Sequence, residues 1–302
     1  MDFHEINTVG KLWIERVNTL PTWTTADAGR LVYVVSEDNF YKGGSTDWEL
    51  FGRSYALWAG LVERATFEYN TALSINIKGG RYHHATNTGT EIIAKIGDIT
   101  FAFGSAGSNS NSDNLTASDW HYLYLDNSRL DEDVTAGMFI NSTSEPQWID
   151  SKLGWYGLAG NVTTNDRCIG AFYTNSSSQI ARFWQVQDMF MWDAPLTIFQ
   201  GTWPTSWTVK NVFAPTFTKF IYGTIYAYST SPGTADCYWR PIYSTGAGFR
   251  VLRVANNQQS SMNEISRMVI TDTISGPQIA IRATAAAAVT LFQNGYYLPY
   301  GM

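Results

Sequence analysis

The sequence predicts an all-β protein, a small N-terminal β meander followed by β-sandwich or jelly-roll-like domains. Three observations carry this expectation. Short runs of β-branched and aromatic residues alternate in polarity, and clusters of Gly, Pro, Ser and Asn separate them every ~10 to 15 residues. Charged residues make up only 15% of the 302 residues, against ~25% in average proteins, and 12 Trp, 17 Tyr and 16 Phe supply rings suited to pleated, half-buried surfaces. Only one segment, residues 53 to 64 ("RSYALWAGLVER"), offers a short helix.

The first 25 residues read as irregular, with Pro21 holding Leu20 extended. "GRLVYVVSEDNFYKGGSTDWELFGR" then reads as three strands with tight turns, too small to enclose a core alone. Residues 1–60 are therefore expected to be an attachment or trimerisation segment. Alternation through Leu73, Ile75 and Ile77 opens a middle β domain, placed at 61–194. Within it, "EIIAKIGDITFAFG" divides at Gly97-Asp98, and "SAGSNSNSDNLTASD" reads as a long exposed polar loop. "CIGAFYTNSSSQIARFWQVQDMFMWD" reads as a pair of strands around "TNSSS". Pro195 and the following "LTIFQGTWPTSW" suggest a boundary, with a C-terminal β-sandwich over 195–302 in which "TAAAAVT" belongs to a strand.

Composition excludes several partners. The net charge is -6 and no basic run occurs, so neither nucleic acid nor an anionic membrane surface is an expected partner. "MDFHEINTVGKLW" lacks the pattern of a secretory signal, and no window reaches ~18 continuous apolar residues. Cys168 and Cys237 are expected to be buried free thiols in a protein that folds in a reducing cytosol. The sequons at Asn114, Asn141, Asn161 and Asn175 read as chance in a chain rich in Asn, Ser and Thr.

Catalytic chemistry finds little footing. His83 and His84 are adjacent in "GGRYHHATNTGTE", and a strand sends neighbours to opposite faces, so both cannot reach one metal without a bulge. His121 is the other histidine weighed as a ligand, and no HxH, HExxH or CxxC spacing supports a site. No G-x-S-x-G occurs, and Cys168 begins a strand rather than a helix. Asp131, Glu132 and Asp133, then Asp188 and Asp193, are the carboxylates a glycan hydrolase would draw on; a solvated loop is the plainer reading of the first three. The expectation is a non-enzyme without metal or cofactor. Trp203, Trp207 and Trp239 are the rings named as a possible glycan-stacking surface, with core packing as the competing fate.

"LPTWTTADAGRLVYVVSEDNFYKGGSTDWELFG" resembles a module of tailed-bacteriophage virion proteins. The residues that carry the resemblance are Leu20, Pro21, Trp23, Asp27, Gly29, Arg30, Leu31, Tyr33, Phe40, Tyr41, Gly43 and Trp48. Lys42 departs from a position where Asn or Gly is common. The phrases "INIKGGRYHHATNTGTE", "DWHYLYLDNS", "FINSTSEPQW", "KLGWYG", "NDRCIGAF" and "SSSQIARFW" are similar to phage and prophage structural proteins, so the likeness covers about residues 20 to 192. It implies a tail fibre, head fibre or capsid-decoration protein located in the virion. Such a chain would be multimeric, a homotrimer first of all, and would dock through its N-terminus on capsid, portal, tail or baseplate proteins. A receptor-binding adhesin for host-surface glycan is the alternative, and a polysaccharide depolymerase the third reading.

Overall fold

A computed structural model describes residues 2–8, 10–34, 39–53, 63–85, 91–104, 109–228, 235–254, 259–269 and 277–302. The protein is all-β, as expected: strands and three short 3-10 turns are the regular structure among these residues. Contacts divide the chain into two compact units, Met1–Leu61 and Val62–Met302.

The first unit is one sheet of β1 (Asp2–Thr8), β2 (Gly10–Val17), β3 (Leu31–Val34), β4 (Asn39–Gly43) and β5 (Trp48–Arg53), in that order. The three-stranded meander is there as β3, β4 and β5. Most of the preceding stretch is not irregular, because β1 and β2 form an antiparallel hairpin and β2 then pairs with β3 in parallel; only the chain after Val17 is irregular. Val32 and Val34 are fully buried and alternate with half-buried Leu31 and Tyr33. The helix considered at 53–64 falls mostly outside the described residues. Its ends are extended: Arg53 closes β5, and Glu63 bridges to Arg81.

The second unit begins with β6 (Thr66–Thr71), β7 (Ser74–Lys78), β8 (Arg81–Ala85), β9 (Glu91–Ile96) and β10 (Ile99–Ala102). It continues with β11 (Trp120–Leu125), β12 (Asp133–Val134), β13 (Phe139–Ser142), β14 (Gln147–Ile149), β15 (Gly154–Tyr156) and β16 (Arg167–Tyr173). Then come β17 (Phe183–Val186), β18 (Met189–Thr202), β19 (Thr208–Asn211), β20 (Phe220–Tyr228) and β21 (Ala235–Arg240). The last are β22 (Phe249–Val254), β23 (Gln259–Val269), β24 (Gln278–Ala283) and β25 (Ala288–Tyr297). An eight-stranded sheet runs β10-β7-β6-β17-β18-β25-β20-β23, and a five-stranded sheet runs β13-β11-β16-β15-β14. Two smaller sheets, β12-β9-β8 and β19-β24-β21-β22, complete the unit.

The two large sheets face each other across an aromatic core. Phe101 of the first meets Phe139 of the second at 5.8 Å between ring centroids, and Trp120 meets Tyr296 edge-on at 5.1 Å. The Tyr296 hydroxyl donates to the carbonyl of Ala171, tying β25 to β16. Strand β11 is buried on both faces; Phe217 lies 5.8 Å from Tyr122 on the face that also carries Trp120. A strand covered on both sides reads as a continuous apolar run rather than as alternation.

Several sequence boundaries fall elsewhere in the structure. Pro195 lies inside β18, so the break expected there is not a break. β18 bulges against β25 between Met191 and Leu196, and a proline without an N–H donor is tolerated where ladder bonds are already interrupted. β9 and β10 belong to different sheets, as do β16 and β17, so "TNSSS" is a local turn closed by the Thr174–Ile180 bridge. "TAAAAVT" is the turn between β24 and β25 together with the start of β25. The polar loop before β11 is held down rather than simply exposed. Asn109 is 2% exposed and donates to Asp126 at 2.8 Å, while the Asp113 backbone exchanges bonds with Asn141. Residues 105–108 of that loop, like 86–90 of the two-histidine segment, lie outside the described residues.

Candidate functional site

Several of the N-terminal motif residues meet in the first unit around Asp27. The chain from Leu20 to Gly29 is an irregular arm, and Thr25–Asp27 is a single 3-10 turn. The Asp27 carboxylate, 6% exposed, accepts from the Thr24 backbone N–H at 2.9 Å and from the Thr24 hydroxyl at 2.8 Å. Its other oxygen accepts from Arg30 Nη1 at 2.5 Å, and Arg30 Nη2 pairs with Glu15 of β2. The same guanidinium sits 5.9 Å from the Trp48 ring, whose indole N–H donates to the Pro21 carbonyl at 2.8 Å. Gly29 N–H donates to the Gly43 carbonyl, and Gly43 N–H to the Arg30 carbonyl, both at 2.8 Å. A Cβ at Gly43 would lie 1.8 Å from the Asp27 carbonyl oxygen, so no larger residue fits. Tyr33 packs on Phe40 at 4.9 Å, with Arg16 5.7 Å from the Tyr33 ring. Leu20, Trp23, Leu31 and Tyr41 are half-buried around this arrangement. The motif residues thus tie the arm, β2, β3, β4 and β5 into one unit. Their first role is to hold this sheet together.

The rings proposed for glycan stacking are placed differently. Trp203 is fully buried, and Trp239 is 6% exposed and stacked on Phe249 at 5.2 Å. Trp207 is half-buried, with Arg240 at 4.2 Å, Arg282 at 5.1 Å, and Gly248 packed on its edge. Trp203 and Trp239 offer no open face, and Trp207 is partly covered. Core packing took Trp203 and Trp239, since large rings bury much apolar area, whereas Trp207 is flanked by cations.

The groups weighed for chemistry are dispersed. His84 is 2% exposed, and Tyr82 shares its face of β8; His83 points to the other face. His121 is fully buried and stacked on Phe172; its Nδ1 bonds Asn141 Oδ1 at 3.0 Å, and its Nε2 accepts the Thr116 N–H at 3.0 Å. That pattern fixes a neutral imidazole, and burial holds its pKa below the ordinary 6.5. Among the described residues no cluster of three His, Cys, Asp or Glu could hold a metal. Cys168 and Cys237 are buried free thiols, both pushed upward by desolvation, Cys237 to about 12. Asp131, Glu132 and Asp133 are exposed; Glu132 pairs loosely with Lys95 at 3.9 Å. Arg167, fully buried, is a structural cation: it donates to the carbonyls of His83 at 2.7 Å and Gly301 at 3.1 Å, near the Tyr82 and Tyr156 rings.

Two open clefts mark the surface of the second unit. One, of about 440 Å³, runs past Glu63, Arg81, Lys95 and Asp133 and holds no aromatic ring. The other, of about 390 Å³, lies where β6 and β17 separate, and includes Glu68, Arg182, Trp184 and Asp193. Of these residues the sequence singles out only Asp133 and Asp193, since strand position alone does not show which ring of "RFWQV" faces water. No helix among the described residues is long and apolar enough to cross a membrane. Comparison with protein-family models, with curated proteins and with solved structures finds no match to this chain.

Proposed function

We propose that this chain is a bacteriophage virion structural protein, a multimeric fibre, tail or capsid-decoration component that docks through its N-terminal unit. The observation that carries the reading is the Asp27-centred arrangement. The twelve residues behind the resemblance to phage modules include the side chains that lock one small sheet together. Among the described residues that unit is a single sheet, and those described as buried in it are Asp27, Val32, Val34 and Gly43. A layer this thin is stabilised by packing on a second surface, which suits an attachment or trimerisation element. The larger unit, low in charge and rich in packed rings, suits a rigid body carried on that element.

Imaging intact particles of a phage whose genome encodes this chain tests the reading. Density for the chain at a multimeric position, head or tail, is the expected result. Absence of the chain from purified particles overturns it. Sedimentation of the purified full chain tests the assembly state separately, with a trimer expected and a monomer at micromolar concentration counting against it.

A further inference from the structure

We propose that the cleft between β6 and β17 is a saccharide-binding site, with a pyranose ring stacked on Trp184 and its hydroxyls held by Asp193 and Arg182. β6 and β17 are neighbours in the eight-stranded sheet, yet they pair at only one position, Glu68 opposite Trp184. The ladder is replaced by a side chain. Gln185 accepts from the Phe67 N–H at 2.8 Å and donates to the Ala65 carbonyl at 3.1 Å, bracing the strands where they part. The gap so held open is the cleft of about 390 Å³, near the lower end of the ~300–1,000 Å³ range of small-ligand sites.

Register places the recognition groups together. Trp184 stands between Glu68 on β6 and Met191 on β18, and cross-strand partners share a face. Two residues before Trp184, Arg182 lies opposite Asp193, its carbonyl accepting the Asp193 N–H at 2.9 Å. Trp184 is 54% exposed and is the one tryptophan among the described residues so open to water. Three other indoles are committed, Trp48, Trp148 and Trp155 donating to Pro21, Asp150 and Tyr300, while those of Trp23, Trp192 and Trp203 are buried and closed to a ligand.

The polar groups around it are unspent. Among the described residues the Asp193 carboxylate and the Trp184 indole N–H have no hydrogen-bond partner. The Arg182 guanidinium makes no hydrogen bond and is steadied by the Tyr69 ring at 5.3 Å. Glu68 keeps a salt bridge to Lys78 at 2.7 Å. The second cleft has no ring, and its guanidinium, that of Arg81, faces Glu63 at 3.4 Å. An exposed ring face beside a free carboxylate and a free guanidinium matches a ligand with one apolar face and a hydroxyl-bearing edge. A protein partner is the poorer fit, since interface centres are depleted of charge.

The inference does not rest on the particle assignment, and the two fail separately. A chain absent from particles can bind sugar, and a chain seated in particles can bind none. The test is a printed array of mono- to hexasaccharides probed with the full chain, followed by calorimetric titration of the best-bound glycan. The expected result is binding by the wild type that Trp184→Ala and Asp193→Asn each weaken about tenfold or more. Tyr243→Ala, at a residue 75% exposed on another sheet's connection, should bind as the wild type does. All variants should sediment alike and melt alike, because the substituted side chains lie at the surface. A wild type that binds no arrayed glycan overturns the proposal. So does a Trp184→Ala protein that binds undiminished, or one that loses its oligomeric state, which would make this face a subunit contact.

Discussion

Replacing Asp27 by alanine should loosen the N-terminal unit by about 3 kcal/mol. The carboxylate takes three hydrogen bonds: the Thr24 N–H, the Thr24 hydroxyl and Arg30 Nη1. A bond to a charged acceptor is worth about 1.5 kcal/mol or more where it is shielded. Thr24 is exposed, and the Arg30 side chain is 37% exposed, so the hydroxyl and the ion pair are counted at about 0.5 to 1 kcal/mol each. Asparagine keeps an acceptor but loses the charge and should cost about half as much. The assay is amide hydrogen exchange on the full chain, read over peptides spanning 20–48. There Gly29, Arg30 and Gly43 N–H groups are bonded within the arrangement. A loss of about 3 kcal/mol speeds exchange through opening by about 150-fold, at ~1.4 kcal/mol per factor of ten. Peptides from the Val62–Met302 unit should be unchanged. Unaltered protection at 20–48 in the alanine variant would refute the reasoning. If such a variant also failed to assemble, the motif would be a contact surface and not a fold device.

Two further outcomes follow from packing and burial. Gly295→Ala should destabilise by about 3 kcal/mol or leave the protein insoluble, since a Cβ there meets the Phe190 carbonyl oxygen at 1.8 Å. Gly97→Ala, with nothing within 4 Å, should shift a urea midpoint negligibly. His121 is neutral when folded and its pKa is depressed by burial, so the unfolded chain binds the proton more readily. Its stabilising share is complete above about pH 6.5 and is lost as pH falls from there toward the folded pKa. Urea midpoints measured from pH 7.5 to 5 should fall more steeply for the wild type than for His121→Gln, and parallel profiles would dismiss the effect.

Strands were legible wherever local chemistry decides them. Leu31 to Val34, Ser74 to Lys78 and Ala235 to Arg240 show β patterning in the sequence and are strands in the structure. Partners were not legible, because a strand's neighbour can be distant: β18 pairs with β25, about a hundred residues on. Pro195 misled for the same reason, as the bulge that accommodates it exists only against β25. The β1–β2 hairpin was missed because "NTVGK", where one strand gives way to the other, holds no Pro and no Asn-Gly or Asp-Gly pair. Polar side chains misled in the loop before β11, where Asn and Ser bury themselves by bonding backbone groups. Ring identity was visible in Trp184, Trp203, Trp207 and Trp239, but exposure is a property of the sheet pair and appears only once the sheets are assembled.

The position of β25 bears on how the molecule is made. It lies between β18 and β20 in the largest sheet and bonds to both. A nascent chain that has emerged only to residue 287 therefore carries two long strands with bare ladder edges facing each other and nothing between them. Edges of that kind recruit strands from other chains, and pairing across such sequence distance is slow. Closure of the large sheet has to wait for residues 288–297. Yield in the cell should then depend on how well the half-made sheet is sheltered during that interval, and slowing translation before residue 288 should raise the aggregated fraction.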